Sequence, residues 1–168
     1  MRKERAGILF KCAVTGICIG LFLKLFVVDI MRVTGDSMEP ALRDGNLVVI
    51  NKLAYGLVIP FSSRLLIQWA SPKKGDIVIY LYNDNYVIKR CCATGSIPLE
   101  YSNDSQYTLI VEGEKYPLSE RQYHLMYESK SVPYGTILAI GDNHSVSVDS
   151  RSYGFVPEKN ILGKALCR

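Results

Sequence analysis

The chain is poor in the features that announce most small enzymes and binding modules. No Cys-x-x-Cys pair occurs among its five cysteines, Cys12, Cys18, Cys91, Cys92 and Cys167, so the spacing of a structural zinc site or a dithiol redox motif is missing. Neither a metal nor a cofactor is expected. Lysines and arginines are scattered, and a net charge of +4 on 168 residues is modest. That excludes the dense basic stripe of a nucleic-acid surface and fits an anionic membrane surface better. No internal repeat or low-complexity tract is present, and the length suits one domain plus an anchor rather than two full domains.

What the chain does have is apolar content, 48% of residues, with the excess at the N-terminus. Arg2, Lys3 and Arg5 precede an apolar run from Ala6 to about Met31 that is broken by Lys11 and Lys24. The uncharged stretch Cys12 to Leu23 is only about 18 Å of helix, short of the roughly 30 Å hydrocarbon core. Each lysine sits near one end of the run and can snorkel to the nearer interface. The expectation is a single transmembrane helix over residues 7–28, with a basic N-terminus, residues 1–6, held in the cytoplasm by the positive-inside rule. A cleaved leader would need an Ala-x-Ala-like site, and the run instead leads into Val27-Val28-Asp29-Ile30-Met31-Arg32. A buried core helix would rarely carry two lysines. Residues 29–168 are then expected on the extracytoplasmic side.

After Met31 the pattern changes to short runs rich in Val, Ile, Leu and Tyr, separated by turn residues. Gly45 to Ile50, Asp76 to Tyr82, Tyr86 to Ala93, Tyr107 to Val111 and Ile137 to Ile140 read as strands, and Val111 to Tyr116 as a hairpin turning at Gly113. The fold class is mainly β, a compact antiparallel β domain preceded by one helix. Tyr55 to Ala70 is apolar without clear alternation; it is either core or, with Trp69 and Tyr55 present, a segment resting in the lipid interface. Cys91 and Cys92 are adjacent in a strand and point to opposite faces; either could pair with Cys167 in an oxidising compartment.

Three stretches carry candidate chemistry. Ser37, in Gly35-Asp36-Ser37-Met38-Glu39-Pro40, is either a nucleophile or the cap of a turn, and as a nucleophile it needs a base. In the strand Tyr86 to Ala93 the period of two puts Val87, Lys89, Cys91 and Ala93 on one face, with Lys89 its only charge. A free lysine is about 0.04% neutral at pH 7, but burial disfavours the ammonium and can make a base of it. The other reading places Lys89 at a sheet edge with its head in water. The third stretch, Gly141 to Arg151, is either a polar loop held by Asx-turns or a support in which Ser147 orients the Lys89 amine and Asp149 pairs with Arg151. A Ser-His-Asp triad from Ser37, His144 and Asp149 or Asp142 is a further arrangement, though five residues are few between a base and its orienter.

Together these stretches resemble the type I signal peptidases, membrane-anchored serine endopeptidases that cut signal peptides from exported preproteins. Gly35 to Pro40 looks like that family's nucleophile box, Lys73 to Val78 its third box, Ile88-Lys89-Arg90 its lysine box, and Gly141 to Pro157 its last box. The resemblance runs in order along nearly the whole chain. It implies Ser37 as nucleophile, Lys89 as general base, Ser147 as the residue positioning Lys89, and Asp149 with Arg151 as a supporting pair. It also implies an acyl-enzyme, an Ala-x-Ala type of cut site, preproteins and membrane lipid as partners, and a cytoplasmic-membrane location.

The chain departs from the family pattern at several points. Gly35 stands where some members carry a hydroxyl that donates to the oxyanion, a contribution of roughly 3 to 4 kcal/mol. Residues 91–96 lack the usual glycine- and proline-rich loop, His144 replaces a common arginine, and Ala41 a common threonine. A processing peptidase of a conjugation or pilus system with the same dyad, and an anchored peptide-binding protein without turnover, are alternative functions.

Overall fold

The computed structural model describes residues 2–59 and 64–166, with side chains from Gly7 onward. Helix α1, Arg2–Phe22, continues as one wide π-helical turn, Leu23–Val27, and passes without a linker into strand β1, Val28–Arg32. Gly7–Val27 is long and apolar enough to cross a membrane, and none of it is buried against the protein. Helical geometry thus ends at Val27, one residue inside the expected boundary, and Val28 already pairs with Asn51.

The strands that follow are β2 (Leu47–Asn51), β3 (Gly56–Val58), β4 (Leu65–Gln68), β5 (Ile77–Tyr82), β6 (Asn85–Thr94), β7 (Glu100–Ser102), β8 (Thr108–Val111), β9 (Glu114–Pro117), β10 (Thr136–Ile140), β11 (Val156–Pro157) and β12 (Ile161–Leu166). Seven form one antiparallel sheet in the order β1-β2-β12-β5-β6-β10-β11; β3-β4 and β7-β8-β9 form two smaller sheets. The fold is mainly antiparallel β, as the spacing of the apolar runs predicts.

Local chemistry accounts for the connections. Asn83 and Asp84 sit at φ 48° and 59° in the two-residue turn joining β5 to β6, and Glu112 and Gly113 at 49° and 83° in the turn joining β8 to β9. Both are left-handed pairs whose twist matches that of the flanking strands. Two short helices escaped the β-only expectation. Helix α2, Glu120–Met126, starts on a reciprocal capping box between Ser119 and Gln122, and α3, Ser150–Tyr153, is capped by the Asp149 carboxylate.

Strand β5 is buried on both faces at its start because the large sheet separates apolar clusters. One cluster, with Val33, Met38, Ile50 and Ile79, lies under the Ser37 turn; a second, with Tyr55, Tyr80, Cys91 and Ile137, lies under β3. The third joins Cys92, Ala93 and Leu138 to the β7-β8-β9 sheet and α2. Cys91 and Cys92 do enter different clusters, and a bulge opposite Leu138 and Ala139 brings Cys92 and Ala93 into the same one. Both are free thiols, and Cys167 lies outside the described residues.

The Tyr55 to Ala70 segment divides between its two expectations. Tyr55 and Val58 are core, whereas Leu66, Ile67 and Trp69 stand exposed on and beside β4; residues 60–63 lie outside the described part.

Candidate active site

Ser37 is carried on a tight loop between β1 and β2. Its neighbour Met38 is buried at 2% exposure, and the Leu42 N–H donates to the Met38 carbonyl over 2.9 Å. Gly35, at φ 85°, gives the loop its left-handed step, and its N–H donates to the Asp44 carboxylate over 2.8 Å. The loop therefore hangs from a buried methionine with its serine half-buried above it.

Lys89 comes from β6, paired with Val78 of β5, and is only 4% exposed. It is not a sheet-edge lysine with its head in water. The Lys89 ammonium donates to Ser37 Oγ over 2.7 Å, joining residues 52 positions apart. Burial pushes the Lys89 pKa below the ordinary lysine value. The Asp149 charge opposes that shift, the Arg151 charge reinforces it, and Asp142 opposes it weakly. A lysine that sheds its proton more readily, in contact with a serine hydroxyl, is the arrangement that general-base activation needs.

The loop following β10 forms the third wall. Asp149 and Arg151 are fully buried and paired twice, Nε to Oδ1 at 2.9 Å and an Nη to Oδ2 at 2.8 Å. Arg151 also donates to the carbonyls of Pro117 and His144, and Asp149 Oδ2 accepts the Gly141 N–H. Burial raises the Asp149 pKa, but the Arg151 contacts outweigh it and hold the carboxyl below its usual range. The expected ion pair is present.

The expected hydrogen bond from Ser147 to Lys89 is not. Ser147 is buried at 6% exposure, and its hydroxyl faces the Asp149 carboxylate, which it helps to hold below its usual range, rather than Lys89. Its place is set by Gly141, since a Cβ there would collide with the Ser147 side chain and come within 2.5 Å of the Ser37 carbonyl oxygen. That carbonyl accepts the Asn143 N–H over 3.1 Å, which ties the serine loop to this wall.

His144 is not the partner of Ser37. Its Nδ1 lies 2.9 Å from the Gly141 carbonyl oxygen and its ring stands edge-on to Tyr116 at 5.4 Å. The triad arrangement therefore has no hydrogen bond to start from. A pair that the sequence pattern does not announce is Arg90 with Asp142, joined by two hydrogen bonds of 2.7 and 2.6 Å, with Arg90 also donating to the Gly75 carbonyl. Arg90 follows the lysine directly, and this pair fastens the lysine strand both to the 141–151 loop and to the turn at Gly75.

A cleft of about 360 Å³ lies over Ser37 and Lys89, walled by Met31 of β1 and Val33 just after it, by Val87 and Ile88 of β6, and by Val148. A larger depression, about 1000 Å³ beside Trp69 and Tyr134, shares no lining residue with it. Among the described residues no three His, Cys, Asp or Glu side chains converge as a metal site would require.

Comparison with known proteins shows the family of the chain. The sequence profile of the family described as signal peptidase, peptidase S26, matches residues 7–168. The chain belongs to this family. Signal peptidase IB of Staphylococcus aureus is 30% identical over 190 residues, an alignment covering all of this chain and 91% of the relative. Signal peptidase I of Pseudomonas fluorescens is 28% identical, covering 86% of this chain and 66% of its own length. A crystal structure of a signal peptidase I from Enterococcus faecalis is 27% identical, with a TM-score of 0.41, covering 55% of this chain and 95% of that one. As a signal peptidase the chain is a hydrolase of the serine peptidase class, and signal-peptide-bearing preproteins are the substrates of its family.

Proposed function

We propose that the chain is a membrane-bound serine endopeptidase that cuts preproteins after small residues, at sites of the Ala-x-Ala type, through an acyl-enzyme on Ser37 with Lys89 as the base. The observation that carries this is the 2.7 Å contact between a buried lysine of lowered pKa and a half-buried serine hydroxyl.

In the reacting form the neutral Lys89 amine takes the Ser37 proton as Oγ attacks the scissile carbonyl carbon. The resulting ammonium passes that proton to the leaving amine. The amine regenerated on Lys89 then deprotonates the water that hydrolyses the ester. The Ser37 N–H donates to no acceptor among the described residues, which leaves it available to the oxyanion. Gly35 has no side chain to add a second donor. Asp149 and Arg151 support the site by fixing the 141–151 loop, and Ser147 positions the Lys89 amine by turning its hydroxyl from Asp149 toward it.

β1 is an edge strand of the large sheet, and β6 before Arg90 is paired on the β5 side alone, so both suit a substrate lying as an added strand. Residues 7–28 serve as a single-pass anchor in the cytoplasmic membrane, residues 1–6 stay in the cytoplasm, and residues 29–168 form the extracytoplasmic peptidase domain. Leu66, Ile67 and Trp69 rest in the lipid interface beside it. The test is cleavage of a preprotein with an Ala-x-Ala site by the detergent-solubilised full chain, wild type against Ser37→Ala and Lys89→Ala. Cutting by wild type alone, with all three folded, is the expected result. Undiminished cutting by Lys89→Ala would overturn the dyad.

A further inference from the structure

On the far side of the Ser37 loop from the cleft lies a second depression, a groove of about 780 Å³. Glu39 and Pro40 belong to the groove where Ser37 and Met38 belong to the cleft, and Ser147 belongs to the groove where Val148 belongs to the cleft. The two hollows are thus opposite flanks of one ridge, and the Ser37 carbonyl held by the Asn143 N–H lies in that ridge. A peptide attacked at Ser37 must put one half in each.

Position decides which half goes where. The cleft shares Met31 and Tyr86 with a small cavity that runs on to Leu25, at the end of the membrane helix. That flank leads to the membrane helix, so it takes the signal-peptide half. The groove, walled by Glu39, Pro40, Leu118, Ser119, Gln122 and Asn143, shares no lining residue with the cleft or with that cavity. It takes the residues that follow the cut.

The charges lining the groove are largely spoken for. Asp142 is held by Arg90, and Arg151 by Asp149 and two carbonyls. Glu39 alone lines it as a charged side chain with no ion pair among the described residues, and it stands two positions after the nucleophile. Resting on the peptidase reading above, we infer that Glu39 is a specificity-determining residue for the leaving segment, favouring lysine or arginine just after the cut and disfavouring aspartate or glutamate. Each favourable pairing at such a half-exposed site is expected to change kcat/KM by up to about five-fold.

The test uses the full chain in detergent and three preproteins identical up to the cut, with Lys, Gln or Glu as the second residue after it. Wild type is expected to rank them Lys, Gln, Glu in kcat/KM; Glu39→Gln to level the three; and Glu39→Lys to reverse the order. With no variant at all, the wild-type spread should shrink on raising salt to roughly 0.5 M, as an exposed charge interaction does. An order unchanged in all three enzymes, or a spread indifferent to salt, would overturn the inference while leaving the peptidase reading intact. A folded wild type that cuts none of the three would overturn the peptidase reading itself, and this inference with it.

Discussion

Lys89 Nζ touches Ser37 Oγ at 2.7 Å from inside the sheet, where only 4% of the lysine is exposed. Burial that makes the amine a base also makes the charged form costly. The unfolded chain holds a proton that the folded chain sheds more readily. Stability therefore rises with pH between the lowered folded pKa and the ordinary value of 10.5, and the cost is greatest below the folded pKa. Lys89→Met is expected to melt higher than wild type at neutral pH by calorimetry. The same variant should lose about 10²- to 10⁴-fold in kcat. In wild type, kcat/KM should climb with pH and level off below the free-lysine value, whereas Lys89→Arg stays inactive throughout because a guanidinium does not give up its proton.

The Asp149–Arg151 pair predicts a different kind of failure. Asparagine at 149 leaves a fully buried guanidinium without its counter-charge, and Asp149→Asn is expected to cost about 3 to 5 kcal/mol in urea unfolding. Because the Asp149 pKa is lowered on folding, its contribution is present above the unfolded carboxyl pKa and is lost as pH falls through the folded value. The acid limb of the wild-type stability curve should therefore flatten in the variant.

Much of this site was legible because its chemistry is written in short stretches. Period two in β6 isolates Lys89 as the one charge on an apolar face, and the 141–151 loop carries Asp149 and Arg151 two residues apart. The missing parts depend on distance or shape. Arg90 and Asp142 meet across 52 residues, and no local pattern announces such a pair. Gly141 matters for the side chain it lacks, which only the approach of Ser147 and the Ser37 carbonyl reveals. β1 is hard to separate from the apolar run because Val28, Ile30 and Met31 continue it, with only Asp29 between them. Ser119 and Gln122, by contrast, form a capping box whose Ser-x-x-Gln spacing is readable in the sequence.

His144 gives a prediction by exclusion. Its ring is engaged with the Gly141 carbonyl and Tyr116 rather than with Ser37, so His144→Ala should retain most of kcat on an Ala-x-Ala preprotein. The pH profile of that variant should follow wild type. A loss of 10²-fold or more in a folded protein would restore histidine as the candidate base.

Lys52 joins the anchor to the peptidase domain. Its N–H donates to the Val27 carbonyl at 2.9 Å, its ammonium donates to the Lys24 carbonyl at 3.3 Å, and it lies 3.5 Å from the Asp29 carboxylate. Helix-end carbonyls lack partners of their own, and a cation there is favourable by about 0.3 to 1 kcal/mol. Lys52→Met should loosen the angle between helix and sheet. The expected result is a several-fold higher KM for a membrane-inserted preprotein, with kcat for a short soluble peptide unchanged; equal effects on both substrates would argue against a positioning role.

Trp69 is the only tryptophan in the chain, which makes the lipid question answerable by fluorescence. It is 56% exposed beside Leu66 and Ile67, and its indole N–H donates to the Leu53 carbonyl, so the ring is fixed with its apolar face outward. Aromatic rings anchored this way favour the headgroup boundary, where one side is wet and the other apolar. With the full chain in vesicles, Trp69 emission should lie to the blue of its value in a short-chain detergent and be quenched by lipids brominated near the headgroup. Trp69→Ala should then slow cleavage in vesicles more than in detergent. Unquenched emission would place the β3-β4 hairpin in water, and its apolar residues would have no part in seating the cleft on the membrane.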